Sequence, residues 1–297
     1  MNRGLHRLKE ILERGASRNQ LDKWIAEGSM THVGFGWYAE ASADPRFITA
    51  ARAGTRLGCT TACDAHGLWM PPNDSELHVI AGLGERLMDV EGSVLAASKG
   101  LRTPIVHRAP GKKSELICPV DEAIEQVATY HDPEIALIAI ESALNQGVVD
   151  VAWVEAMLER LPQRQRRALS HFSAGSESGS ETRVAQSMRK KRLPVYQQVP
   201  LFPNEHQRVD MVVGKSWVLE CDSAGHHSDI RKYERDRERD LYLESLGFQV
   251  TRLSYKQVWS EWDTTQERLR SIIAQRRYLR PAQIDPEQVC ANLARLR

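Results

Sequence analysis

Two apolar segments that follow each other near residue 215 contain acidic residues where the core of a β-sheet normally has none. Asp210 interrupts the first segment, VDMVV, and Glu220 and Asp222 close the second, SWVLECD. Side chains alternate between the two faces of a strand, so the pairing register decides which of these acids meet. A three-residue loop at 214–216 places all three on one face of a hairpin, whereas a two-residue loop separates Asp210 from Glu220. Shared placement of the acids is therefore a prediction about register.

Three neighbouring carboxylates repel one another, and if they are unpaired at least one keeps a proton with a raised pKa. A hard divalent cation such as Mg²⁺ removes this repulsion, binds carboxylate oxygen and suits phosphate substrates. We therefore predict that Asp210 and Glu220 are metal ligands. The alternative is that both acids form salt bridges with basic helices, but acids within buried apolar strands are costly when unpaired. Asp222 fits a third ligand, an orienting group or a turn residue equally well.

The composition sets the broad class of protein. The chain has 297 residues, enough for two domains, with a net charge of +1. No segment has the length and apolar character of a membrane helix, and the N-terminal sequence MNRGLHRLKEILERG contains no secretion signal, so we expect a cytoplasmic protein without a membrane partner. The five cysteines form no CxxC pair, and Cys59, Cys63 and His66 are interpreted as residues of an apolar helix, with the cysteines buried, rather than as a zinc site.

The N-terminal segment is predicted to form two helices followed by a hairpin. Ser17 and Gln20 have the spacing of a capping box at the start of the second helix, and THVGFGWYAE has the pattern of a tight hairpin. This order is typical of a winged helix-turn-helix module. Arg18, Asn19 and Lys23 are polar positions of the second helix, which either contact DNA or form an ordinary solvated face.

This segment resembles the N-terminal domain of the AbiEi-type antitoxins of abortive-infection systems. The matching positions are Leu21, Gly28, Gly36, Trp37 and Tyr38, followed by the stretches at 50–69 and 77–79. The resemblance implies a DNA-binding winged-helix domain, which we place at residues 1–82.

The middle of the chain has the periodicity of amphipathic helices. Four segments between residues 101 and 169 are each apolar on one face, so residues 83–175 are predicted to form a mainly helical connector domain. The small-residue stretch SAGSESGS at 173–180 is the predicted boundary to a third domain at 176–297.

The C-terminal segment is predicted to contain a helix, three strands, a long helix, a strand and a closing helix. This αβββαβ order, with acids on the central hairpin, resembles the core of the PD-(D/E)XK nuclease superfamily and, more closely, the very-short-patch-repair-like endonuclease domains. The resemblance rests on Glu181, Gln198, Asp210, Glu220, Asp222, His226, Asp236, Arg239, Leu243, Gly247 and Arg252. The predicted fold class is thus α/β (α+β), with a winged helix-turn-helix and a helical connector before a restriction-endonuclease-like core.

The resemblance also implies roles at a catalytic site. Asp210 and Glu220 would hold Mg²⁺ (or Mn²⁺) together with the backbone carbonyl of Cys221. Three further groups would manage water and protons: Asp222, His226 and Glu181. His226 would replace the superfamily lysine, and its imidazole titrates near neutral pH. Glu181 also fits a capping box with Ser178.

Supporting and DNA-contacting residues are predicted around this site. Gln198, Asp236 and Arg239 would support the catalytic loop, although Asp236 and Arg239 also fit an ordinary ion pair one helical turn apart. Arg189 and Lys190 would contact phosphates, or would simply be basic residues favoured at a helix C-terminus.

The predicted function is a metal-dependent DNA endonuclease positioned by its N-terminal module, in phage defence or a toxin-antitoxin-like system. One alternative is a DNA-binding transcriptional regulator or antitoxin whose nuclease-like domain is inactive, and another is an effector that acts on RNA. A homodimer is left open, because double-strand cleavage requires two active sites or two visits by one.

Overall fold

The computed structural model describes residues 3–72, 76–100, 103–110, 115–202, 207–222 and 230–296, without the side chains of 230–233 and 294–296. These residues form a mixed α+β fold with three small sheets, as predicted. The chain divides into two compact units, Met1–His131 and Asp132–Arg297. The predicted boundaries at 82 and 175 fall inside these units, so the three-domain division stays a prediction about sequence modules.

The first unit begins with a three-stranded antiparallel sheet. Its elements are β1 (Leu5–Arg7), α1 (Leu8–Glu13), α2 (Arg18–Ala26), β2 (Met30–Gly34) and β3 (Trp37–Glu40), with the strand order β1-β3-β2. The predicted capping box of α2 is confirmed, since the Gln20 amide donates to the Ser17 hydroxyl and the Ser17 amide donates to the Gln20 side chain. Sequence did not predict β1, because three residues are too few to show alternation.

A second sheet completes this unit. Its elements are α3 (Pro45–Ala53), β4 (Arg56–Leu57), α4 (Cys59–Ala65), β5 (Glu76–Ala81), α5 (Leu87–Ala97), β6 (Thr103–Arg108) and α6 (Val120–Tyr130), with the strand order β4-β5-β6. The prediction of helix from residue 101 onwards is wrong over β6, which pairs parallel with β5. Six residues of β6, one of them Pro104, give too short a pattern to separate a strand from a helix.

The second unit begins with four helices. These are α7 (Pro133–Asn145), α8 (Val151–Arg160), α9 (Gln163–Leu169) and α10 (Gly179–Lys190), and the predictions of helix in these four segments are confirmed. Glu141 of α7 is fully buried and accepts hydrogen bonds from the Ser173 amide at 3.0 Å, the Ser176 hydroxyl at 2.7 Å and the Gln186 side chain at 3.1 Å. The small-residue stretch after α9 is therefore packed against α7.

A four-stranded mixed sheet forms the centre of the second unit. The remaining elements are β7 (Val195–Val199), β8 (Val209–Val213), β9 (Trp217–Asp222), α11 (Ile230–Ser245), β10 (Gln249–Ser254), α12 (Tyr255–Trp259), α13 (Trp262–Ala274), a 3₁₀ turn (Arg277–Leu279) and α14 (Pro286–Leu296). The strand order is β10-β9-β8-β7, with β9 and β10 parallel and the other pairs antiparallel. The predicted αβββαβ order of elements is confirmed.

The two central strands of this sheet bury side chains on both faces. Met211 and Leu219 belong to an apolar cluster with α10, α12 and α13, and Val212 and Val218 belong to a cluster with α11. The loop between the strands is three residues long and begins at Gly214, whose φ of 63° is readily adopted only by glycine. Both faces of β8 and β9 are therefore largely apolar, and a carboxylate on either strand has few polar groups to contact.

Candidate active site

The register of β8 and β9 brings two of the predicted acids together. Met211 pairs with Leu219 and Val213 with Trp217, so the same register sets Asp210 opposite Glu220 on one face of the hairpin. The Cys221 amide donates to Asp210 Oδ2 at 2.7 Å, which fixes the Asp210 carboxylate against β9. The predicted three-residue loop and shared face are confirmed for this pair.

Glu220 is a buried acid with one unsatisfied oxygen. Its residue is 7% exposed, and within the described residues its Oε1 has no hydrogen-bond partner. Arg239 Nη2 lies 3.6 Å from this oxygen, beyond hydrogen-bonding distance. Burial, followed by the charge of Asp210, raises the pKa of Glu220 to about 8. Glu220 therefore keeps its proton at neutral pH unless a cation replaces it.

Asp210 shares this environment. Burial raises the pKa of Asp210, and the hydrogen bonds from the Cys221 amide and from the Glu220 carboxyl oppose the shift. Burial raises the pKa of both carboxyls, so the pair keeps a proton more readily than free acids do. A divalent cation can take the place of this proton between the two acids.

Glu181, near the start of α10, contributes a third carboxyl. Its amide donates to the Ser178 hydroxyl, as expected for a helix cap, while its own Oε2 accepts from the Glu177 amide at 2.8 Å and from Gln198 Nε2 at 3.0 Å. Burial, followed by the charge of Asp210, raises the pKa of Glu181 to about 7. Ser178 is thus the N-cap of α10, and Glu181 binds the backbone just before that cap while it also senses the charge of Asp210. We call Glu181, Asp210 and Glu220 the carboxyl cluster.

Gln198 reaches the carboxyl cluster from an irregular position in β7. In the register of β7 and β8, Gln197 pairs with Met211 and Val199 with Val209, and Gln198 between them has no paired residue. The φ of Gln198 is 53°, in the left-handed region. Such backbone strain is concentrated at functional sites. The geometry agrees with the supporting role predicted for Gln198, which stays a proposal.

Arg239 contacts Glu220 rather than Asp236. Its Nη2 donates to the Arg208 carbonyl at 3.0 Å, and its guanidinium lies 4.7 Å from the Phe202 ring centroid. Within the described residues no ion pair joins Asp236 to Arg239, so the alternative of an ordinary helical pair is not observed.

Asp222 lies apart from the buried acids. Its side chain is 52% exposed and pairs with Arg252 Nη1 at 3.5 Å. Arg252 also donates to Asp240 at 2.8 Å, one turn after Asp236 on α11. Sequence reasoning missed Asp240, although its spacing of four residues from Asp236 places both on the same face of the helix. His226 lies outside the described residues.

The predicted DNA-contacting residues differ in exposure. Arg18, Asn19 and Lys23 are all exposed on α2. Lys190 is also exposed, whereas Arg189 is half-buried and donates to Gln197 at 2.6 Å. An ordered, half-buried guanidinium favours a structural role for Arg189.

Asp210 and Glu220 supply two ligands of the kind that a hard divalent cation prefers. Asp210 and Glu220 offer carboxylate oxygens within one buried site, and Glu220 Oε1 lacks a partner. Mg²⁺ and Mn²⁺ prefer such oxygen ligands. The residues present therefore fit a magnesium or manganese ion.

Comparisons with known proteins support a nuclease domain in this part of the chain. Residues 181–273 match the restriction-endonuclease-like family REase_MTES_1575, a span that contains the carboxyl cluster and all four strands of its sheet. Among solved structures, the chain is similar to the RV2827C protein from Mycobacterium tuberculosis, at 14% identity over 61% of this chain and 75% of that chain, with a TM-score of 0.30. Comparison with curated proteins gave no match. Within the described residues, no helix combines the length and apolar character needed to cross a membrane.

Proposed function

We propose that this protein is a metal-dependent endonuclease that hydrolyses phosphodiester bonds in DNA. The observation that carries the proposal is the unpartnered, buried Oε1 of Glu220 beside two further carboxyls, within the span that matches a restriction-endonuclease-like family. The charges of Arg252 and Arg239 lower the pKa of Glu220, yet it still rises to about 8, so a bound cation would offset the remaining cost of ionising the buried acids.

Each acid has a proposed task. Asp210 and Glu220, with the backbone carbonyl of Cys221, would hold Mg²⁺ or Mn²⁺, which supplies a Lewis acid beside the scissile phosphate. Glu181, whose pKa of about 7 suits proton exchange near neutral pH, would accept a proton from the attacking water. Asp222 and His226 would assist proton transfer to the leaving group.

Two arginines have proposed positioning roles. Arg239 would orient Glu220, since it contacts that carboxyl while fixed to the Arg208 carbonyl. Arg252 would hold the exposed end of β9 through its contacts with Asp222 and Asp240. Gln198 would hold Glu181, and Asp236 would support the loop before α11.

The N-terminal helices and hairpin are proposed to bind DNA as a winged-helix module. Support comes from the order of α1, α2, β2 and β3 and from the exposed polar residues of α2. The resemblances of the two ends of the chain favour a very-short-patch-repair-like subtype and a role in phage defence or a toxin-antitoxin-like system.

A plasmid cleavage assay tests the proposed activity. Wild-type protein with Mg²⁺ should convert supercoiled plasmid to the nicked or linear form, and excess EDTA should stop the reaction. Asp210→Asn and Glu220→Gln should each lower the rate by about a hundredfold or more. Asp263→Asn, an exposed acid on α13, is the matched control and should cleave normally.

Other outcomes separate the alternatives. Tight, sequence-specific binding in a gel-shift assay, without cleavage in Mg²⁺ or Mn²⁺, would favour a transcriptional regulator or antitoxin. Cleavage of RNA but not DNA, offered side by side, would favour an RNA-directed effector. Unchanged cleavage by Asp210→Asn would reject the assigned ligands.

A further inference from the structure

A second cluster of potential metal ligands lies in the first unit, unrelated to the carboxyl cluster. Cys59 is the first residue of α4, His78 lies in β5, and His131 directly follows α6. One ligand atom from each lies within 4.8 Å of the others. Three separate elements of the chain thus bring sulfur and imidazole nitrogen to one point.

His78 has a nitrogen that the surrounding protein does not use. The residue is 2% exposed, and its Nδ1 lies 3.0 Å from Nε2 of His107. Within the described residues its Nε2 has no hydrogen-bond partner, and the nearest charged group is Glu76 Oε2 at 3.6 Å. If Nδ1 donates its proton to His107, Nε2 presents a lone pair, which is the form that binds a metal.

The backbone holds Cys59 in an unusual conformation at this point. Its φ of 52° is in the left-handed region, and its amide donates to Gln126 Oε1 at 2.8 Å. A Cβ on the preceding Gly58 would lie 2.5 Å from Ile80 Cγ1 of β5. Glycine at this position therefore allows the backbone to approach β5 more closely than any other residue would. A strained, fully buried cysteine is typical of a site rather than of simple core packing.

We propose that Cys59, His78 and His131 bind a structural zinc ion. Thiolate and imidazole are ligands that zinc prefers, and ligand atoms around tetrahedral zinc lie about 3.3–3.8 Å apart, so small side-chain movements complete the site. His107 fixes the ring of His78 from outside, and Glu76 or water takes the fourth position. The ion would join α4, β5 and the end of α6.

Binding requires one proton to leave. Burial raises the pKa of Cys59 to about 12, so the free thiol is protonated and its proton passes to solvent when the sulfur binds zinc. The neighbouring Cys63 and Cys118 are buried thiols, and His66 is 2.8 Å from the Cys118 carbonyl. Cys63 and His66 are therefore not among the proposed ligands, whereas Cys59, interpreted from the sequence as a buried helix residue, takes a ligand role in this proposal.

Metal analysis of the full chain tests this assignment. The parental protein for this experiment carries Asp210→Asn and Glu220→Gln, so that the carboxyl cluster does not retain zinc. Every variant below is made in this parental protein. After growth with zinc and desalting, the protein should contain about one zinc ion per chain. Cys59→Ser and His78→Gln should each lose it, whereas Cys63→Ser and the distant Cys290→Ser should retain it. Zinc-free protein, or retention by Cys59→Ser, would overturn the proposal.

Cobalt substitution tests the same ligands by spectroscopy, and its first result does not depend on the folding of a Cys59 or His78 variant. Co²⁺ in the parental protein should produce the visible bands of a four-coordinate ion and a sulfur-to-cobalt charge-transfer band in the near ultraviolet. A cobalt spectrum without the sulfur band, or a band that survives Cys59→Ser, would exclude Cys59 as a ligand. Because nuclease activity is not measured, failure of the proposed function leaves this result unaffected.

Discussion

Asp210 and Glu220 face each other across β8 and β9, and burial raises the pKa of both carboxyls. Ionising both of two neighbouring buried acids costs free energy unless a positive charge offsets their repulsion. This relationship connects the register of a hairpin to the chemistry that we propose, because a shift of one residue would turn one carboxyl to the opposite face.

The metal-free protein should lose stability as pH rises. Glu220 and Glu181 have folded-state pKa values of about 8 and 7, above their usual 4.5. These two acids bind more protons in the folded state than in the unfolded chain, but below pH 6.5 His78 and His107, whose pKa values burial lowers to about 4, have the opposite effect. The free energy of unfolding should therefore fall as pH rises from 6.5 to about 8. Urea unfolding in EDTA measures the slope, and Glu220→Gln should flatten it. A wild-type slope that is flat or positive between pH 6.5 and 8 would contradict the raised pKa of Glu220.

Arg239 should stabilise the protein more strongly where Glu220 is ionised. Its charge lowers the pKa of Glu220, so the pair strengthens as the proton leaves. We expect the cost of Arg239→Gln to grow as pH rises through about 8, while Arg268→Gln, an exposed arginine of α13, has a pH-independent effect. Urea unfolding of both variants across this range checks the prediction. An equal cost at all pH values would mean that Arg239 acts only through packing on Phe202.

Gly214→Ala should disturb the loop that sets the register. A Cβ there would lie 2.6 Å from Tyr278 Cδ2 and 2.7 Å from its carbonyl oxygen. Strain in the left-handed region and this clash together should cost about 2–4 kcal/mol. Gly147→Ala is the matched control, since its φ is also positive but nothing lies within 4 Å, and it should cost about 1–2 kcal/mol. Equal costs in thermal unfolding would show that the Tyr278 contact is unimportant.

Glu141→Ala should destabilise the second unit by about 3 kcal/mol, because it removes the acceptor of the Ser173 amide and the Ser176 hydroxyl and one of the two acceptors of the Gln186 amide. Glu155→Ala, at an exposed position of α8, should change stability by less than about 0.5 kcal/mol. Denaturant unfolding of the two variants distinguishes them. A small effect of Glu141→Ala would indicate that solvent replaces the lost acceptor.

Sequence predicted the carboxyl pair because strand alternation and loop length together determine a hairpin register. It could not predict the contacts of Arg239, since a helical spacing of three residues is as consistent with Asp236 as with a partner on another strand. The stretch at 173–180 has the composition of a linker, but its polar atoms satisfy buried Glu141. Burial of polar groups depends on distant segments, and local composition does not reveal it.

The proposed zinc ligands also depend on distant segments that local sequence does not reveal. Cys59 and His66 are close in sequence, yet the residues that approach Cys59 are His78 and His131. Their spacing in the sequence follows no common metal-binding motif, because the strand β5 and the end of α6 supply them.

Anomalous diffraction from crystals soaked in Mn²⁺ tests the central claim most directly. The account predicts a manganese peak between the carboxyls of Asp210 and Glu220, at coordination distance from both, and its disappearance in crystals of Glu220→Gln. A manganese ion bound elsewhere in the second unit, with none between this pair at saturating metal, would contradict it.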